Sequence, residues 1–350
     1  MSAIKYFLVG GFALFTGVGL IGYFKRPPLP ESAALATRIE KGVAEGKNVQ
    51  VVQEIVLPKD PLVLKNSVDQ LASIPPVAAA DPIQAISPLS ETELPEADRI
   101  RFLFTTDASK LPIVETVSYT SRVPWVQGRP AWIADYASHY NTSRHFIARS
   151  LNKKSDYFSQ KISLGDRFNV FKNDINLQFY VVADLSRCRM WLYYLDMDKN
   201  ERVLLKTYPI GVGRSDPKSP SGCLTPVGTY SLGAKVAIYK SGTVGYFQDA
   251  QVEMVRVFGT RWIPFDQEID GCSEPAKGFG LQGVPWIENP ETRELVEDRS
   301  RIGKYDSDGC IRLLAEDIEE IYAIVITKPT IIELVKDFMD AKLPGMEKAI

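Results

Sequence analysis

The chain has 350 residues, an apolar fraction of 45% and a net charge of −2. Its length exceeds one average domain and predicts two folded units with connecting segments. Near-neutral charge with no basic surplus excludes a nucleic-acid binder and leaves small molecules, polymers or other proteins as partners.

The run Tyr6 to Phe24 carries no charge over 19 residues. As a helix rising about 1.5 Å per residue it would extend roughly 28 Å, enough to cross a bilayer core. Lys5 precedes it, and Lys25, Arg26, Pro27 and Pro28 end it. A cleaved signal peptide competes, with Ala34-Leu35-Ala36 imitating a cleavage site. That site lies ten residues past the apolar run, too far for the usual geometry, so residues 1–26 are expected to be an uncleaved transmembrane anchor. Flanking charges do not settle its orientation.

Residues 27–112 read as a spacer, broken by prolines from Pro27 to Pro95 and filled with Ala, Ser and Asp. Such a segment holds a folded unit at flexible distance from an anchor. Within it a short helix is expected around Ala33 to Val51. Arg101 to Thr105 and Ile113 to Thr120 alternate like short strands.

Over residues 113–173 the pattern is strand, helix, helix, strand. Ile133, Tyr136, Ala137 and Tyr140 recur at helical spacing. Asn141-Thr142-Ser143 supplies a turn and an N-cap for a second short helix carrying Phe146, Ile147 and Leu151. Ile162 to Val170 gives a turn and an alternating strand. This order resembles the LysM peptidoglycan-binding module, through Ile133 to Thr142 and Leu164-Gly165-Asp166-Arg167-Phe168-Asn169-Val170. The resemblance implies a small α+β module with glycan as partner; a unit that only positions its neighbour is the alternative. His139 and His145 sit on these helices, at the surface or half-buried rather than catalytic. They are the chain's two histidines, so a metal site is poorly supplied and no cofactor is expected.

From Leu177 the chain turns to β. Leu177 to Asp184, Arg189 to Leu195 and Val203 to Gly211 form a meander; strands follow at Gly228 to Leu232, Val252 to Phe258 and about Gly278 to Gln282. Ile318, Ile321, Tyr322 and Val325 mark one prominent helix, and Thr330 to Val335 a last strand before a tail, residues 339–350. The fold class is therefore mainly β, an antiparallel sandwich or open barrel. Four cysteines are present with no C-x-x-C spacing. Cys223 and Cys272 are a candidate disulfide if the chain is exported, or two small buried residues.

The turn Ser307-Asp308-Gly309-Cys310-Ile311-Arg312 is the densest chemical signal, and it is read as opening onto the amphipathic helix. A cysteine beside a cation or helix N-terminus is a candidate nucleophile, because the thiolate is the attacking form. Gly309 suits a backbone that must face a reacting carbonyl. This turn resembles the S-H-G-C-I-R signature of the YkuD-type L,D-transpeptidases. Thr225-Pro226-Val227-Gly228, Gly259-Thr260-Arg261-Trp262-Ile263 and Phe279-Gly280-Leu281-Gln282-Gly283 follow the family's order, so the resemblance covers residues 175–338.

The resemblance implies cell-wall work: a cysteine acyl-enzyme on peptidoglycan tetrapeptide stems, released to an amine or to water. It makes Cys310 the nucleophile, Gly309 and Cys310 the oxyanion amides, and Ser307 the family serine. Arg312, Gln282 and Tyr305 are expected in substrate binding, with a structural ion pair as the equal alternative for Arg312 and a hydrogen bond to the loop favoured over any catalytic role for Gln282. An extracytoplasmic catalytic domain on an inner-membrane anchor follows from where that polymer lies. Two positions depart from the family. Gln282 and Asp308 stand where it carries histidine, and glutamine takes no proton near neutral pH. An insertion around Glu288 to Arg301 also lengthens the interval before Ser307. Three readings stay open: Asp308 as a base raised by burial, a thiolate held by Arg312 and local amides, or a non-catalytic peptidoglycan scaffold. An L,D-carboxypeptidase is a further alternative.

Overall fold

The computed structural model describes residues 94–152 and 162–348, all within one compact unit, Pro61–Ile350. The expected anchor, the helix at 33–51 and most of the spacer lie outside the described residues. Among the described residues no helix is long and apolar enough to cross a membrane.

The chain begins with α1 (Arg101–Phe104), β1 (Val114–Ser118), α2 (Ile133–His139), α3 (Arg144–Asn152) and β2 (Arg167–Phe171). The meander β3 (Leu177–Asp184), β4 (Arg189–Asp196) and β5 (Glu201–Pro209) follows, then β6 (Val212–Gly213), β7 (Gly228–Leu232), β8 (Ala237–Ile238), β9 (Val244–Phe247) and β10 (Ala250–Glu253). Next come α4 (Val255–Phe258), β11 (Arg261–Asp270), β12 (Gly280–Gly283), β13 (Trp286–Glu288) and β14 (Leu295–Glu297). The last elements are β15 (Tyr305–Ser307), β16 (Ile311–Leu313), α5 (Ala315–Val325), β17 (Thr330–Val335) and β18 (Met346–Glu347).

A ten-stranded sheet dominates, in the order β16-β12-β11-β7-β17-β3-β4-β5-β18 with β8 added against β11. It is a curled, mixed half-barrel rather than the purely antiparallel sheet expected. The parallel pairs are β12 with β16, β17 with β3, and β18 with β5. None is joined by a tight turn, so none leaves the short-range sequence signal of a hairpin. The central strands are buried on both faces. Phe179, Val181 and Ala183 enter the main core, while Tyr180 and Val182 join Trp191 and Phe338 on the other side. Two-sided burial gives β3 and β4 their near-continuous apolar runs.

Strand, helix, helix, strand is the observed order over residues 114–171, with β1 and β2 paired antiparallel from Val114↔Phe171 to Ser118↔Arg167. Ser143 caps α3 by accepting the Phe146 N–H at 3.0 Å and donates to the Ala323 carbonyl of α5 at 2.6 Å. Val114, Phe146 and Phe171 belong to the same core as β3 and α5. The βααβ unit is thus fused to the sheet rather than tethered to it.

Several local expectations are corrected. Residues 94–112, read as the end of the spacer, pack on the meander: Pro95 accepts from Trp191 Nε1 at 2.7 Å, Arg99 donates to Leu205, and Leu103 is buried. Arg101 to Phe104 is a helical turn, not a strand. Val252 to Phe258 splits into the end of β10 and α4, where Arg256 Nε reaches back to Glu253 at 3.3 Å. The tail contributes β18, whose neighbour Gly345 accepts from Arg202. Cys223 and Cys272 are both free: the Cys272 thiol donates to Thr229 O at 3.1 Å, and that of Cys223 lies 3.7 Å from Thr225 O.

Candidate active site

β12 runs parallel to β16 with Leu281 opposite Ile311 and Gln282 opposite Arg312. The period of two sends Leu281, Ile311 and Leu313 into the core. Gly280, Gln282, Cys310 and Arg312 are left on the opposite face. The reactive turn therefore leads into a strand, not directly onto the helix as expected; α5 begins only at Ala315. Among the described residues no helix begins at Cys310.

Ser307 holds the turn. Its Oγ accepts the Gly309 N–H at 3.1 Å and donates to the Cys310 carbonyl at 2.7 Å. Gly309 has φ +112°, and a Cβ there would stand 2.5 Å from the Phe279 ring and 2.8 Å from Leu224 O. Both the dihedral and the close approach demand glycine. With its N–H taken by Ser307, Gly309 is not an oxyanion donor. The Cys310 N–H has no backbone acceptor among the described residues, so the two amides expected narrow to one.

Cys310 is half-buried, and its thiol faces the Gly278 carbonyl at 3.6 Å. Burial pushes its pKa up to about 12. Arg312 and a hydrogen bond from the Gly280 N–H pull the other way, and the Asp308 charge adds to the rise. Arg312 lies behind the nucleophile with its side chain 12% exposed, held by Asp306 at 2.5 Å. Asp306 also pairs with Arg301 at 2.5 Å, so one carboxylate serves two guanidiniums. Burial is the main influence on Arg312 and lowers its pKa from the usual guanidinium value.

The remaining expected site residues are placed less favourably for their roles. Asp308 is 63% exposed and pairs with Arg214 at 2.6 Å, so the burial its base role requires is not there. Gln282 is buried and donates to Val257 O at 3.2 Å, as a brace for α4. The Tyr305 hydroxyl donates to Leu185 O at 2.7 Å, away from the thiol. Arg312, Gln282 and Tyr305 thus each have a partner within the molecule that holds a loop. The histidines lie elsewhere: His139 is exposed and stacked on Trp125 at 3.9 Å, whereas His145 is buried against Tyr322. Among the described residues no group of three or more His, Cys, Asp or Glu is placed to hold a metal. Arg214, Asp306 and the backbone of Gly278 and Gly280 were missed from sequence. Only their neighbourhood in space marks them, since β6 pairs with β15 and β12 with β16 across long separations.

Residues 178–334 match the family model YkuD, the L,D-transpeptidase catalytic domain. Among solved structures the chain is similar to Bd1075 of Bdellovibrio bacteriovorus, at 12% identity and TM-score 0.29, over 45% of this chain and 48% of that one. It is also similar to the helical cell shape determining protein Pgp2 of Campylobacter jejuni, at 17% identity and TM-score 0.30, over 49% and 50%. The chain thus spans about half the length of these structures. Comparison with curated proteins finds no match. No comparison supports the LysM-like module or the membrane anchor. Residues 178–334 are a YkuD L,D-transpeptidase catalytic domain.

Proposed function

We propose that this chain remodels peptidoglycan as an L,D-transpeptidase through a thioester on Cys310. The carrying observation is the turn itself: a half-open sulfur, the unengaged Cys310 N–H beside it and the Arg312 cation behind it. In this reading Cys310 Sγ attacks the diaminopimelate carbonyl of a tetrapeptide stem, and the oxyanion takes the Cys310 N–H. The C–N bond to D-alanine breaks and the thiol proton leaves with its amine. An acceptor amine then displaces the sulfur, which regains a proton; water in its place gives carboxypeptidation. Asp308 is the proton acceptor next to the nucleophile, once it parts from Arg214. Exposed Trp132 and the Trp125–His139 stack offer aromatic faces to glycan. The uncharged Tyr6–Phe24 run would anchor the chain in the inner membrane with the domain outside the cytoplasm.

A second reading, a non-catalytic wall-binding scaffold, is favoured by the thiol's pKa of about 12 and by the Asp308–Arg214 pairing. Incubating the full chain in detergent with disaccharide-tetrapeptide and following D-alanine by mass spectrometry separates them. Release that is lost in Cys310→Ala supports the enzyme. Wild type and Cys310→Ala behaving alike defeats it.

A further inference from the structure

Arg214 follows β6, whose Gly213 is paired with Ser307 of β15. Its backbone is fixed from two sides: the N–H donates to the Ser307 carbonyl at 2.8 Å, and the carbonyl accepts the Leu224 N–H at 2.9 Å. Leu224 in turn closes on Gly309, its carbonyl oxygen 2.8 Å from where a Cβ would stand. The residues that shape the Cys310 turn therefore also hold the root of the Arg214 side chain.

The guanidiniums that meet the carboxylates of this turn differ in what they offer a ligand. Arg301 and Arg312 share Asp306, and the Arg312 side chain is buried. Arg214 is 52% exposed and meets Asp308, which is more exposed still, at 2.6 Å. An exposed pair of this kind contributes little, because water competes for both partners. A guanidinium accepts any carboxylate in the same planar, forked geometry. A ligand carboxylate can thus replace that of Asp308 on Arg214 with no loss of charge pairing, which a neutral ligand cannot do. The displaced Asp308 carboxylate remains two residues from Cys310, close enough for its charge to bear on the thiol. Covered by substrate and parted from its cation, it becomes a better proton acceptor, since both changes disfavour its charged form.

Resting on the peptidoglycan reading above, we propose that Arg214 is a specificity residue that takes the terminal D-alanine carboxylate of the stem and thereby frees Asp308 to receive the Cys310 proton. That carboxylate carbon is two bonds, about 2.5 Å, from the scissile nitrogen. As the S–C bond forms and the C–N bond breaks, Asp308 passes the proton to the departing nitrogen. D-Alanine leaves with its carboxylate, and ionised Asp308 returns to Arg214.

The test gives the full chain in detergent three disaccharide-tetrapeptides: the native stem, one ending in D-alaninamide, and one amidated on the diaminopimelate side-chain carboxylate. Release of the terminal residue, followed by mass spectrometry, yields kcat/KM. The D-alaninamide stem should be cleaved about 10- to 100-fold less efficiently, and the diaminopimelate amide nearly as well as the native stem. In Arg214→Gln the native stem should fall by a similar factor and the D-alaninamide stem no further, so that the preference vanishes. Arg214→Lys should restore part of it. A merely structural role for Arg214 would lower both stems alike and leave the preference intact, which would overturn the proposal. Equal cleavage of the native and D-alaninamide stems by wild type, or a loss confined to the diaminopimelate amide, would overturn it too. If wild type releases nothing from any stem, the enzymatic reading fails, and calorimetry decides on Arg214 separately. Native stem bound about tenfold tighter than the D-alaninamide stem, with the difference lost in Arg214→Gln, would support the assignment. Equal binding, or none, would overturn it.

Discussion

The ionisation of Cys310 yields a quantitative expectation. Its pKa is raised from 9.0 to about 12, chiefly by burial. At pH 8 a thiol of ordinary pKa is about 10% ionised and one at 12 about 0.01%, a loss near 1,000-fold in thiolate. Greater basicity returns part of this: a Brønsted slope of about 0.4–0.5 over three units gives about 20-fold. Iodoacetamide should therefore modify Cys310 in the folded chain some 40-fold or more slower than in the unfolded chain, since partial burial only adds to the delay. The logarithm of the rate should climb with unit slope from pH 7 to about pH 11. Intact-mass spectrometry, with Cys310→Ala to subtract the other three cysteines, reads both quantities. Arg312→Met should slow the reaction further, because it removes a charge that favours the thiolate. A rate that levels off near neutral pH, at or above the unfolded-chain value, would refute the reasoning and require a thiolate-stabilising group beyond Arg312 and Gly280.

The other expectations concern the frame around that sulfur. Gly309→Ala should lower stability by about 2–4 kcal/mol, from the unfavourable φ and the clash with Phe279, and abolish acyl-enzyme formation seen by mass. Asp306→Asn leaves the buried Arg312 uncompensated and should cost about 2–3 kcal/mol in urea unfolding, below a fully buried pair because Asp306 is 26% exposed. Ser143→Ala removes a helix cap and the bond to Ala323, about 1–2 kcal/mol, with faster hydrogen exchange in α3. Above pH 9 the unfolded thiol loses its proton while folded Cys310 keeps it, so wild type should lose stability relative to Cys310→Ala as pH rises from 9 towards 12. Asp308→Asn removes a charge that raises the thiol pKa, and should speed alkylation with little change in Tm because the lost pair is exposed.

Local patterns in the sequence carried the fold where the contacts are local. The meander, the Ser143 cap and the apolar stripe of α5 were legible because each is set by neighbours a few residues apart. The parallel pairs were not, and neither was β16, three residues long between a tight turn and a helix. Val252 to Phe258 alternates well enough for a strand, yet its second half coils where Gly259 takes φ +61° against Gly283 and Val284. At the site, the nucleophile turn was readable from Ser307 to Arg312. The assignments of Arg312, Gln282 and Tyr305 were less so, because residue type announces a hydrogen-bonding capacity and only the fold says which partner takes it. Arg214 carries no local sign of its contact with Asp308, ninety-four residues away in the chain.

The two positions that depart from the family pattern share one physical trait: each polar group is already satisfied inside the molecule. Gln282 spends its amide on the Val257 carbonyl, and Asp308 spends its charge on Arg214. Neither arrangement leaves a poised acceptor facing the sulfur. The two pairs differ in how readily they come apart. The Gln282 amide is buried, and freeing it would leave the Val257 carbonyl unmet. Asp308 and Arg214 are an exposed pair worth little in water, so a substrate carrying its own charges can separate them at small cost. On the proposed chemistry the Asp308–Arg214 pair is therefore the one that has to open, while Gln282 stays a brace.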